Sequence, residues 1–245
     1  MDYCDLGSLA DMIPKLKKVS DGAQRIGMAR SIMLQISKGM KILHVEHLIM
    51  HRDLKPENIM MNSEGLCIIS DFGISKIVSD GNTSYCGTPF YMAPEIFALQ
   101  QYNLSVDIFS LGIVFLELMT QTRIFDLIEG RLPPGNRSDF PSASLLKKIP
   151  NDQARQLIQR MLKKNPIDRP NIEEVCDFIK ANNFSEARQK LPEEQYRQSV
   201  HNLLNEGNRR IPPIVGNSPP RMLVPVQKRE IVAVYVRRRP GSSYC

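Results

Sequence analysis

His51 to Asn58 read HRDLKPEN, Asp71 to Gly73 read DFG, and Ala93 to Glu95 read APE. Alone, DFG is merely a turn and HRD merely three polar residues; together, in fixed order, they form a pattern. Asp71 follows the close of the first run by thirteen residues. Short apolar stretches, Leu48 to Met50, Ile59 to Met61 and Cys67 to Ile69, flank the first run and are separated by polar turns such as Asn62 to Gly65. They read as small strands that bracket a charged loop. Upstream, Ala23 to Val45 carries Ile26, Met33, Ile36, Met40 and Leu43 near helical spacing, an amphipathic helix that delivers the loop.

Downstream, Val106 to Met119, Ser144 to Ile149, Ala154 to Leu162 and Ile172 to Ile179 read as further helices, with Pro133, Pro134 and Gly135 in a loop among them. The fold class expected is mainly α, with a few short strands around the loop. In order and spacing the three motifs resemble the catalytic loop, metal loop and activation-segment end of a eukaryotic-type serine/threonine protein kinase. The start, MDYCDLGSL, resembles the hinge between the two kinase lobes. The resemblance therefore implies the C-terminal lobe from the hinge onward over residues 1–183, and a C-terminal tail over 184–245 that is partly helical, then proline-rich and extended or disordered.

What the resemblance implies for the site is specific, because phosphoryl transfer needs positioning and charge neutralisation more than covalent help. Asp53 would accept the proton of the substrate hydroxyl. Lys55 would neutralise the transferring phosphoryl group, Asn58 would hold one magnesium ion and Asp71 the principal one. Hard oxygen ligands suit Mg²⁺, which keeps its waters and bridges nucleotide phosphates. Around adenine, Met1 would be the gatekeeper, Asp2 and Cys4 would offer backbone groups, and Met60 would form the pocket floor. ATP and Mg²⁺ are thus the implied cofactors.

Lys55-Pro-Glu-Asn and Gly87 to Glu95, GTPFYMAPE, resemble enzymes acting on Ser/Thr acceptors in proteins. Thr88 would touch the catalytic aspartate. Arg52, directly before Asp53, implies a switch by phosphorylation of the activation segment, with Ser84 as the matching acceptor, Thr83 its close competitor, and Lys76 assisting. An upstream activating kinase is the partner this implies. Two structural pairings are also carried over: Glu95 with Arg169, and Asp107 with the catalytic-loop backbone. Phe109 stands where the family usually has tryptophan.

The 245 residues contain no glycine-rich loop, no Val-Ala-Ile-Lys-like strand and no partner glutamate upstream of the hinge. Positioning contributes roughly 7–11 kcal/mol to such barriers. The expectation is a truncated enzyme that needs a completing partner or segment. The alternative is a catalytically inactive lobe used for binding or scaffolding. A small-molecule phosphotransferase fits less well, because GTPFYMAPE is a protein-docking segment.

Charge and composition narrow the partners. Residues 1–184 hold 21 Lys+Arg and 21 Asp+Glu, while Ser185 onward holds 11 against 5, so the formal +6 belongs to the tail. The globular part is not expected to bind nucleic acid. Ile108 to Met119 is too short to span a bilayer and contains Glu117, so no membrane is expected. Five scattered cysteines without a CxxC pair indicate neither a disulfide framework nor a zinc site, and a reducing compartment fits them. The location expected is cytoplasmic, with Arg237 to Arg239 as a nuclear signal. His44 and His47 are read as packing or capping groups, and the twelve methionines as core filler.

Overall fold

The computed structural model describes residues 7–62, 64–77, 83–129, 140–184, 192–205 and 233–234. Most of these are helical. The helices are α1 (Leu9–Lys15), α2 (Gly22–Lys41), α3 (Pro94–Phe97), α4 (Ser105–Thr120), α5 (Ile124–Leu127), α6 (Ala143–Leu146), α7 (Asp152–Met161), α8 (Ile172–Ala181) and α9 (Glu193–Asn205). The strands are β1 (Ile49–Met50), β2 (Ile59–Met61), β3 (Cys67–Ile69), β4 (Lys76–Ile77) and β5 (Ala233–Val234). No helix among the described residues is long and apolar enough to cross a membrane.

α4 is the axle of the lobe. Every residue from Val106 to Met119 is buried, so this largely apolar helix is enclosed on all sides. It ends at Gln121, which adopts a left-handed conformation (φ 49°). Gly112 lets α7 come close: a Cβ there would meet Leu162 Cδ2 at 2.9 Å and Met161 Cβ at 3.0 Å. Phe109 is fully buried in the place where a larger ring was expected, and the Arg169 guanidinium lies 5.0 Å above it.

α2 begins at Asp21, whose carboxylate accepts from the N–H groups of Ala23 and Gln24. Its buried face, Met28, Ile32, Met33, Ile36 and Met40, runs at the spacing read from sequence. The α-helix closes at Lys41, four residues short of the expected end, and continues as one π-helical turn over Ile42–Glu46. The expected helix at Ser144–Ile149 is likewise shorter, because its end tightens into i→i+3 bonds from Lys148 to Leu145 and Ile149 to Leu146.

The small sheets set the site. β2 and β3 are antiparallel, with Met60 opposite Ile68, and β1 pairs with β4, Ile49 opposite Ile77. β5 lies parallel to β3, Ile68 opposite Ala233 and Ile69 opposite Val234. β5 belongs to the C-terminal tail.

The tail also contributes to the core. Tyr196, Val200 and Leu203 of α9 are buried with the residues of α1 and α2. Tyr196 donates its hydroxyl hydrogen to the Gly65 carbonyl at 2.9 Å, and Gln24 donates to Ser199 Oγ at 2.8 Å. Gly65 sits at φ 75°, and a Cβ there would meet Tyr196 Cε1 at 3.3 Å. Polar as it reads, this helix is not a solvated appendage.

Candidate active site

The loop between β1 and β2 is hung from a buried carboxylate. Asp107, at the start of α4 and fully enclosed, accepts from the His51 N–H at 2.7 Å, the Arg52 N–H at 2.8 Å and His44 Nε2 at 2.9 Å. Burial alone would push this carboxyl up, but the bonds from His44 and the neighbouring histidine and arginine groups hold it below its ordinary value. His44 thus packs against a carboxylate rather than ligating a metal.

With the backbone pinned, Arg52 takes a left-handed φ of 68° and Asp71 one of 62°. Non-glycine residues in this region carry strain that the surrounding bonds must offset. His51 joins the two motifs: its Nε2 donates to the Ser70 carbonyl at 3.0 Å and its ring meets Phe72 at 4.9 Å. Ser70 in turn donates its N–H to the Asn58 carbonyl at 2.9 Å. Asp71 follows directly, which sets it beside the Asn58 turn.

Asp53 is the hub. Lys55 Nζ donates to its Oδ2 at 2.8 Å and to Thr88 Oγ1 at 2.6 Å. Thr88 donates to Asp53 Oδ1 twice, from Oγ1 at 2.7 Å and from its N–H at 2.9 Å. Asn58 Nδ2 donates to the Asp53 carbonyl at 2.8 Å and to Oδ2 at 3.2 Å, which leaves Oδ1 as the Asn58 atom able to take a cation. Gly87, at φ 107°, lets the 83–95 segment pass close to the loop, for a Cβ there would lie 2.6 Å from the Arg52 carbonyl. A carboxylate, an ammonium and an amide therefore converge, and Asp71 is the residue after Ser70, whose N–H bonds the Asn58 carbonyl.

The remaining expected residues divide. Arg52 donates to the Ile74 carbonyl and, through Nη1, to Ser84 Oγ at 3.3 Å and Tyr102 OH at 3.4 Å. Ser84, not exposed Thr83, is the hydroxyl beside Arg52. Tyr102, which also donates to the Ser84 carbonyl, was not read from sequence. Glu95 and Arg169 form a two-pronged pair at 2.6 and 2.8 Å, both enclosed. Met60 faces Ile68 on β2, and Lys76 lies on β4. Asp2 and Cys4 lie outside the described residues, as do Met1, the Pro133 to Gly135 loop and Arg237 to Arg239.

A second charged cluster, beside the loop, was missed. Glu117 of α4 is fully enclosed and accepts from Tyr91 OH at 2.8 Å, the Ile124 N–H at 2.5 Å and Arg123 Nε at 3.2 Å. Burial pushes its carboxyl up to about 7 in spite of the guanidinium. Burial also works against the charge of Arg123, but Glu117 and Glu57 outweigh it and raise that group. Arg123 reaches Glu57 of the HRDLKPEN run at 2.5 Å. The available signal was Glu117 as the single charged residue of the largely apolar stretch Ile108 to Met119.

No cluster of three or more His, Cys, Asp or Glu side chains suited to a metal is found among the described residues. Asn58 and Asp71 are a smaller, all-oxygen pair, the donor type that suits magnesium shared with phosphates.

A family model described as protein kinase domain matches residues 1–178. Among curated proteins, the chain is 34% identical over 178 residues to serine/threonine protein kinase OSK3 of Oryza sativa subsp. indica, covering 71% of this chain and 34% of that one. It is 34% identical over 177 residues to the SNF1-related protein kinase catalytic subunit alpha KIN12 of Arabidopsis thaliana, with the same shares. Mitogen-activated protein kinase kinase 1 of Arabidopsis thaliana is 39% identical over 123 residues, 49% of this chain and 33% of that one. The chain spans about a third of the length of these relatives.

Proposed function

This chain belongs to the protein kinase family, and on that premise we propose that it serves transfer of the ATP γ-phosphoryl group to Ser or Thr hydroxyls of protein substrates. The observation that carries the reading is the hydrogen-bonded set of Asp53, Lys55, Thr88 and Asn58 on a loop suspended from Asp107. Asp53 takes the acceptor's proton as general base. Lys55, within reach of both Asp53 and Thr88, neutralises charge on the phosphoryl oxygens. Asn58 Oδ1 and the Asp71 carboxylate hold magnesium. Bound there, that ion would supply positive charge to offset the nucleotide phosphates. Ser84 is the regulatory acceptor: a phosphate there would meet Arg52, already within hydrogen-bond distance of its hydroxyl.

Asp2 and Cys4 supply the adenine contacts in this reading and Met60 the floor beneath them. A nucleotide-covering lobe with a glycine-rich strand and an anchoring lysine completes the site in this reading. Substrates and upstream activators are proteins, in keeping with relatives named as mitogen-activated protein kinase kinases.

The test is labelled phosphate transfer from Mg·ATP to peptides differing only in Ser, Thr or Tyr. Residues 1–245 alone are expected to show negligible transfer. Supplied with a nucleotide-covering lobe they should label Ser and Thr, and Asp53→Asn should abolish this. Normal turnover by Asp53→Asn would defeat the assignment. A second reading is a non-catalytic lobe that binds or scaffolds another kinase. It predicts binding without transfer even when the upper lobe is supplied.

A further inference from the structure

β3 has two edges, and β2 occupies one of them. Ser70, the residue after β3, donates its N–H to the Asn58 carbonyl at 2.9 Å, on the β2 side. Successive residues of a strand turn their N–H groups to opposite edges, so Ile69 and Cys67 present theirs outward. For Cys67 the acceptor is a side chain of α2, Gln35 Oε1, at 3.0 Å. Ile69 is 1% exposed, which leaves no room for water, and a buried N–H without an acceptor is costly. The outer edge of β3 therefore calls for a backbone partner.

The far end of the chain supplies one. Ala233 and Val234 run parallel to β3, opposite Ile68 and Ile69. With Ile69 facing outward, this register turns the N–H and C=O of Ala233 toward β3 and those of Val234 away from it. The sequence from 231 to 236, IVAVYV, is rich in residues that favour extended backbone. Across the sheet the start of the chain does the same for β2, where Ser8 bridges Met60 and the Met61 N–H donates to the Gly7 carbonyl at 3.0 Å. Two remote segments thus pair with the strands that lead out of HRDLKPEN and into DFG.

We propose that the outer edge of β3 is a strand-addition site, and that its occupant is this chain's own tail, held there through Ala233 and Val234. Strand addition draws its affinity from main-chain hydrogen bonds, which the Ile69 backbone offers here. An open edge is a template for pairing with another chain. The tail closes it from within, where tethering raises the effective concentration. Ile69 stands two residues before Asp71, so the latch steadies the strand that carries this carboxylate. The inference stands on the strand pairing and does not require phosphoryl transfer.

The test is amide hydrogen exchange of the full chain, read by mass spectrometry over residues 66–72. Ala233→Pro removes the N–H that faces β3 and should speed exchange there about tenfold, while α4 exchanges as before. Val234→Pro removes an N–H that points away and should change little. A free peptide of residues 228–239, at millimolar concentration, should restore protection to the Ala233→Pro chain, and the same peptide carrying that proline should not. Unchanged exchange in Ala233→Pro, equal effects of the two prolines, or a loss that the peptide fails to restore overturns the proposal. Wild-type protection should be independent of protein concentration. Protection that grows with concentration would assign the edge to a second copy and overturn the intramolecular latch.

Discussion

Thr88 Oγ1 receives a hydrogen bond from Lys55 Nζ at 2.6 Å and passes one on to Asp53 Oδ1 at 2.7 Å. One hydroxyl thus fixes the spacing of an ammonium and a carboxylate. Its own place is set by a second bond from its N–H to the same oxygen. Thr88 acts as a positioning residue, and its effect should fall on turnover more than on stability. Thr88→Ala in an active, lobe-completed form should lower kcat by about a hundredfold with KM for peptide little changed. Thr88→Ser, which retains both bonds, should keep most of the rate. Equal losses in the two variants would mean that the methyl group's packing, not the relay, matters.

Glu95 and Arg169 are an enclosed ion pair, and removing one partner strands the other. Arg169 also donates to the carbonyls of Lys163, Lys164 and Ser105, so its loss frees several acceptors. Glu95→Gln or Arg169→Ala should cost about 3–5 kcal/mol in urea unfolding. Arg169→Lys should recover only part, since an ammonium cannot reproduce the fork. A loss under 1 kcal/mol for Arg169→Ala would show that the pair does not hold the lobe.

His51 should make stability fall on the acid side. Its ring is fully enclosed, and burial, opposed by Asp107 and the Ser70 carbonyl, sets its pKa below the ordinary 6.5. Its Nδ1 also accepts from the Asp53 N–H at 3.4 Å, a role that protonation would end. As pH drops below about 6.5 the unfolded chain takes a proton that the folded chain resists, so unfolding gains ground. Chemical denaturation between pH 7.5 and 5.5 should show this slope, and His51→Gln should reduce it. An unchanged slope in the variant would reassign the effect to other groups.

Gly65 and Tyr196 should behave as a coupled pair. Gly65→Ala imposes a side chain at φ 75° and crowds Tyr196, for about 1–2 kcal/mol. Tyr196→Ala empties a core position, for about 3 kcal/mol. The double variant should lose less than the sum, because the crowding disappears with the ring. Full additivity in thermal unfolding would indicate that α9 does not rest on the turn.

The parts of the fold legible in the sequence are those whose signal is local. β2 and β3 follow from three-residue apolar runs between turn residues, and α4 from an apolar run no exposed helix would carry. α1 has a local signal too, the reciprocal Ser8–Asp11 cap, but Pro14 within it hides the helix. α3 and α5, four residues each, are too short for a period to register. The loop chemistry was legible from HRDLKPEN only through the family likeness, since Thr88 lies 35 residues from Asp53. Glu117 was legible as an oddity and no more. Its partner Arg123 is near in sequence, but Glu57, 66 residues from Arg123, arrives there through folding alone. The docking of α9 was not legible, because its three buried residues face a groove assembled from α1, α2 and a turn.

The match to the family model stops at Phe178, yet the folded unit does not. Arg30 of α2 donates to the carbonyls of Ile179 and Asn182, Phe184 is wholly enclosed, and α9 lies across the turn at Gly65. Anyone trimming this polypeptide for expression at the edge of the family match would leave a sticky, half-unzipped particle. A shortened version that ends past Asn205 is the one to bring into the laboratory.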